Sequence, residues 1–501
     1  MGVKRLVCSV CLFAALGALV SVGAAAAADK GASAGWPAWR GPNRDGKSPD
    51  TGLLKSWPAD GPKRLWHVRD IGSGYSSVST AGGIVYVTGH KRGRLILTAI
   101  ADDGKVKWSK DIGRGFTGSH AGARSTPTCD GSNLYIESGI GVVGCYDRST
   151  GREKWTRKLS EFGGRVPTWG FSESVLIVGD LAVVTPGGTN FMAALDKKTG
   201  RTVWRSGRYG GVQYSSPIYV EHAGVPMVIN GGHQGLAGVH AKTGKAIWSQ
   251  DFAGGNTANC PTPAYADGYV FWSVGYGKGG ICVKLTGSGS RIKAQTAWTT
   301  RDMVCHHGGY VILDGHIYGN HSSGWTCLDL PTGRKKWYDR GVGKGSLCYA
   351  DGMLYLFSER RGKAGLAAVS TKGLDLAGTF SVSGSGPSWA HPVVVGGRLY
   401  LRYDDNLYCY DVADPAARKV TVAPKPDPPP TPPPARTDPP TPPKTTPPTA
   451  ERTCRMWWNM ARNYTAIGKP DKAKAYLKMI VAKHPGTDWA ARAAKRLAEL
   501  K

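Results

Sequence analysis

Eight side chains recur at one place in a repeating unit: Tyr75, Arg124, Phe171, Tyr214, Cys260, His307, Lys344 and Trp389. Two residues further along, each unit carries a second: Ser77, Thr126, Glu173, Ser216, Thr262, Gly309, Ser346 and His391. Aromatic rings interleaved with Arg, His and Lys supply π-faces, donors and positive charge, which suit a planar or anionic ligand. Tyr75, Arg124, Glu173, Tyr214, His307, Lys344, Trp389 and His391 are the candidate contacts. The alternative is that these groups fill a solvated channel and hydrogen-bond to water. His306, His307, His321 and His391 offer imidazoles, but their spacing matches no zinc pattern. Adjacent histidines on a strand also point to opposite faces, so no metal site is expected and no catalytic residue is assigned.

The unit that positions these residues is visible as a turn followed by an aromatic residue. Asp147, Thr150 and Gly151 precede Trp155, and Asp196, Thr199 and Gly200 precede Trp204. Thr243 and Gly244 precede Trp248, and Asp329, Thr332 and Gly333 precede Trp337; Asp103 and Gly104 before Trp108 are a shortened copy. With Trp66, Trp298 and Phe380 the aromatic series has eight members, 39 to 50 residues apart. A second series of eight, the apolar runs at 84–87, 134–136, 181–184, 227–229, 269–272, 317–318, 354–357 and 399–401, counts the same units. One four-stranded blade per repeat fits this spacing. An all-β, eight-bladed propeller over residues 60–420 is therefore expected. The segment around Trp66 would supply the outer strand of the last blade, beside residues 407–410, and close the ring. Each tryptophan would pack between neighbouring blades.

These repeats resemble those of PQQ-type (quinoprotein) propellers, and equally the propeller of the outer-membrane barrel-assembly machinery, which has the fold without the cofactor. The resemblance covers residues from about 60 to 412. It specifies the fold and not the activity. If the quinoprotein side of it held, PQQ and Ca²⁺ would be the cofactors, the ion held by oxygens of Glu173, Asn259 and Asp302, and the activity that of a dehydrogenase. The adjacent cysteine pair common in those enzymes is absent, and so is a CxxCH haem motif. No cofactor is therefore the leading expectation. The lead-in at 29–59, with Trp36, Trp39, Arg40 and Gly46, resembles the opening of many exported quinoprotein-like propellers and is expected to pack on one face of the ring.

Residues 1–28 read as a signal peptide: Lys4 and Arg5, an apolar run to Val22, then alanines 24–28. An exported protein, periplasmic or secreted, follows, with no membrane span in the mature chain. Cysteines 145, 327 and 409 share one repeat slot, Cys282 lies in a similar strand, and Cys129, Cys305 and Cys348 share another; they read as small core residues, not disulfides. Residues 421–450 are a proline-rich spacer. Residues 451–501 carry the spacing of one tetratricopeptide repeat in Trp457, Ala461, Tyr464, Gly468, Ala473, Leu477, Ile480 and Pro485, with Thr487 or Asp488 capping a further helix. The net charge of +28 favours anionic partners, and no nucleic-acid motif accompanies it. The expected function is a non-catalytic scaffold of the cell envelope, working through envelope proteins or acidic glycans, in part through the basic C-terminal helices. The alternatives are a PQQ/Ca²⁺ dehydrogenase and carbohydrate or polyanion binding in the axial funnel.

Overall fold

The computed structural model describes residues 35–252, 258–420, 454, 457, 458, 461, 470–485 and 487–499. The expected signal peptide and proline-rich spacer lie outside these. Two compact units separate at Met1–Ala423 and Pro424–Lys501.

The first unit is a ring of eight antiparallel four-stranded sheets, an eight-bladed propeller. Seven blades are simple meanders, each strand pairing with the next in sequence. In the eighth, Val393–Val395, Arg398–Tyr403 and Asn406–Asp411 are completed by the N-terminal strand Arg64–Val68, with Trp66 opposite Cys409. The closure expected from Trp66 is thus present. It ties the two ends of the ring by backbone hydrogen bonds.

All eight aromatic residues of the repeat series lie in outermost strands. Each stands opposite a small residue of the third strand: Trp155 opposite Cys145, Trp298 opposite Cys282, Trp337 opposite Cys327 and Trp248 opposite Gly238. The cysteines therefore occupy a slot that an indole leaves narrow. All nine cysteines among the described residues are free thiols.

The turn motif joins blades as well as strands. Asp147 Oδ1 accepts from the Ser149 amide (3.0 Å) and the Thr150 amide (3.1 Å) and hydroxyl (3.0 Å), and Asp196 repeats the pattern. Trp155 Nε1 then donates to the Lys197 carbonyl (3.1 Å) in the turn of the following blade. Trp204 donates to Ala241 (3.0 Å) and Trp337 to Ser370 (2.8 Å) in the same way. Gly200, at φ +74°, lies so close over Trp155 that a Cβ would sit 2.8 Å from the indole. Glycine is required there twice, by the left-handed turn and by the contact.

In the second unit, helices Pro470–Lys483 and Asp488–Glu499 pack with Cys454 and Ala461 around Ala473, Leu477, Ile480 and Ala493. Thr487 Oγ1 accepts from the Ala490 amide (3.2 Å), the expected N-cap. Among the described residues no helix is long and apolar enough to cross a membrane.

Candidate functional site: an aromatic funnel floored by the lead-in

The lead-in covers one face at blades seven and eight, where Leu54 and Trp57 donate to the Val412 and Ala377 carbonyls (2.9 Å each), and it also reaches the innermost strands round the axis. Trp36 pairs with Thr80 of blade one through its carbonyl and its amide (2.8 and 2.9 Å), and the Cys129 amide of blade two donates to Pro37 (2.7 Å). Trp39 Nε1 reaches Thr262 before blade five (2.8 Å). Arg44 donates to the Ser174 and Val175 carbonyls at blade three (2.6 and 3.0 Å), and Arg40 to the Tyr310 carbonyl of blade six. Arg40 and Arg44 are 3% exposed, and their hydrogen bonds go to carbonyls rather than carboxylates. The segment is a plug fastened to blades all round the ring.

Above Trp39 is a cavity of about 210 Å³ lined by aromatic residues: Tyr75, Trp169, Tyr214, Tyr276 and Trp389, with His120, Arg124, Cys260, His306 and His307. Tyr75 and Trp389 lie 4.6 Å apart between centroids, and Trp389 stacks on His307 at 4.2 Å. Arg124 lies over Phe116 (4.8 Å) and Tyr75 (5.7 Å) and donates to the Gly122 carbonyl at 2.5 Å and to that of His120. Among the described residues it has no carboxylate partner in an ion pair. Its burial lowers its pKa, yet an arginine stays charged at neutral pH.

Beneath the rim runs a series of blade-to-blade hydrogen bonds. The Ser77 amide donates to Thr126 Oγ1, the Thr126 amide to Ser174 Oγ and the Ser174 amide to Ser216 Oγ, each at 3.0 Å. Further links run from Ser215 Oγ to the Pro261 carbonyl (2.9 Å), from Ser346 Oγ to the Ala390 carbonyl (2.9 Å) and from the His391 amide to Ser77 Oγ (2.8 Å). These bonds set the register of blade three: its repeat positions belong to Ser172 and Ser174, not to the expected Phe171 and Glu173. One residue out of step sends the side chain to the other side of an extended backbone. Phe171 accordingly joins the core, and Glu173 is buried near Arg44 and Glu137. Burial is the main cause that raises Glu173 to about 8, with the Thr185 hydroxyl and Arg44 opposing it.

The structure brings Tyr75, Arg124, Tyr214, His307 and Trp389 together at the cavity wall. His391 lies below it, against Trp39 (4.5 Å), with Nε2 2.9 Å from the His307 carbonyl oxygen. Lys344 is turned aside onto Glu359 (3.0 Å) and His306 Nδ1 (3.1 Å). Trp39, His120, Trp169, Tyr276 and His306 were not in the candidate set. Trp39 comes from outside the repeats, so counting along repeats had no signal for it.

The three oxygens expected of a quinoprotein do not form a set. Glu173 is buried near Arg44. Asn259 donates to the Gly232 carbonyl (3.3 Å), and its amide to Gln213 (3.1 Å). Asp302 lies at the outer side of the ring, paired with Lys335 of an outermost strand (2.7 Å). These residues do not fit a shared Ca²⁺.

Fold and site together define a PQQ-like repeat propeller with a plugged, aromatic funnel. A family model described as outer membrane protein assembly factor BamB matches residues 96–339, in line with the PQQ-like character of the repeats. Among solved structures it is similar to BamB from Moraxella catarrhalis, at 15% identity and TM-score 0.51, covering 70% of this chain and 97% of that one. It is also similar to the quinohemoprotein alcohol dehydrogenase of Comamonas testosteroni, at 12% identity and TM-score 0.57, covering 85% of each chain. The computationally designed Ika8 protein reaches TM-score 0.51 at 12% identity, covering 70% of this chain and all of its own. At these identities the likeness is one of fold. No curated protein matches the sequence.

Proposed function

We propose that the protein is an exported, non-catalytic propeller that acts by contact, with the axial funnel as its ligand site and an acidic glycan as the ligand class. The observation that carries this is the cavity above Trp39, where Tyr75, Trp169, Tyr214 and Trp389 surround Arg124. Flat aromatic faces suit the C–H faces of sugar rings, and a guanidinium without a carboxylate partner suits an acid group. Export rests on the sequence of residues 1–28. A protein partner is the second reading, favoured by the match to an assembly-factor family. A dehydrogenase reading has less support, because Glu173, Asn259 and Asp302 are held apart.

Calorimetric titration distinguishes them. A hexuronic-acid oligosaccharide should bind wild-type protein, about tenfold or more weakly after Arg124→Ala, given about 1.5–3 kcal/mol for a hydrogen bond to a charged group, and unchanged after Lys107→Ala on the outer surface. Binding of PQQ with Ca²⁺ together with dye-linked alcohol oxidation would overturn the non-catalytic reading.

A further inference from the structure

On one wall of the funnel, Cys260, His306 and His307 place one ligand atom each within 4.8 Å of one another. The two histidines were expected on opposite faces of a strand. The chain at 304–308 is not a strand, and their rings instead lie 3.6 Å apart between centroids. We propose that Cys260 Sγ and the Nε2 atoms of His306 and His307 form a binding site for a thiophilic first-row divalent ion, Zn²⁺ or its analogues, with a fourth position open to the funnel.

The chemistry of the donors fits. One thiolate and two imidazoles suit zinc, and three protein ligands with one open position is the pattern of accessible zinc sites. Donors on a tetrahedral ion with bonds of about 2.0–2.3 Å stand roughly 3.3–3.8 Å apart, so atoms now within 4.8 Å need to close by about 1.5 Å at most. Among the described residues His306 Nε2 is buried without a hydrogen-bond partner, a costly state for a polar atom that an ion would relieve. His307 Nδ1 lies 3.7 Å from Glu359 Oε2, just beyond hydrogen-bond length; closing that gap on metal binding would let the carboxylate hold the tautomer and orient the ring. Trp389 stacks on His307 and Tyr276 packs edge-on against His306 (4.8 Å), which gives the site an apolar surround.

Protonation is favourable for two donors and not for the third. Burial lowers His306 to about 3 and lowers His307, so both rings are neutral at pH 7 with a lone pair available. Burial raises the Cys260 thiol to about 12. Binding therefore releases one proton from Sγ to solvent as the metal–sulfur bond forms. His306 must also carry its proton on Nδ1, so Lys344 gives up that contact and keeps Glu359, to which it is already bonded.

The test uses the full-length exported protein, stripped with a chelator and titrated with Co²⁺ and then Zn²⁺. One equivalent of Co²⁺ should give a thiolate-to-cobalt charge-transfer band, displaced by Zn²⁺, and Zn²⁺ should raise the unfolding temperature. Cys260→Ser should abolish the band. His306→Gln should weaken binding at least as much as Glu359→Gln, for which about a 10–100-fold loss is expected. His316→Gln, at a half-buried histidine elsewhere on the ring, should change nothing. Absence of a stoichiometric band in folded wild-type protein, or equal affinity in Cys260→Ser and wild type, would overturn the site. Neither result depends on whether a glycan binds the funnel.

Discussion

At the residue scale, the charged groups beneath the funnel are held mainly by the fold and not by each other. Arg402, 2% exposed, donates to the carbonyls of Gly72, Ser76, Thr88 and Asp404. Glu173 has a weaker environment, and its raised pKa links stability to pH. A carboxyl whose folded pKa lies above its unfolded value near 4.5 stabilises the fold below that value. That contribution is lost as pH rises towards about 8. Glu173→Gln stays neutral throughout. The unfolding temperature of the variant should therefore gain on wild type between pH 5 and pH 9, read by thermal melts in parallel buffers. A constant gap across that range would show that Glu173 does not titrate in this window. The buried histidines change stability with the opposite sign, as their lowered pKa values require, and they cancel in the comparison.

At the scale of elements, the unit of construction is the turn of one blade seated on the tryptophan of the blade before. Trp155 is 9% exposed and spans Cys145, Gly200 and the Lys197 carbonyl. Trp155→Ala removes the packing and the hydrogen bond together and should cost about 3–5 kcal/mol, read by denaturant unfolding. Trp248→Ala should cost less, because among the described residues its Nε1 has no hydrogen-bond partner to lose. Equal losses would mean that the turn contact contributes nothing. This architecture was legible in the sequence because Thr-Gly turns and aromatic residues recur at fixed offsets. The site was only partly legible. Tyr75, Arg124, Tyr214 and Trp389 were found by offset, whereas Glu173 was placed one residue out of step. The error has a physical source: innermost strands such as Ser79–Ala81 and Leu176–Val178 are three residues long, and the site residues precede them on irregular backbone. Period-two alternation has too few residues there to fix a register.

At the scale of the molecule, the ring supplies a funnel and the lead-in converts it into a cavity. Trp39 could not be assigned to the site from sequence, because its position depends on contacts with blades that follow it by 40 to more than 300 residues. The central claim is that this floored funnel receives the ligand. It is tested most directly by crystals of the protein soaked with a hexuronic-acid oligosaccharide. The account predicts a sugar ring bounded by Trp39, Trp169 and Trp389, with its carboxylate on Arg124. Sugar bound only on the basic outer surface, with the funnel holding water alone, would contradict it.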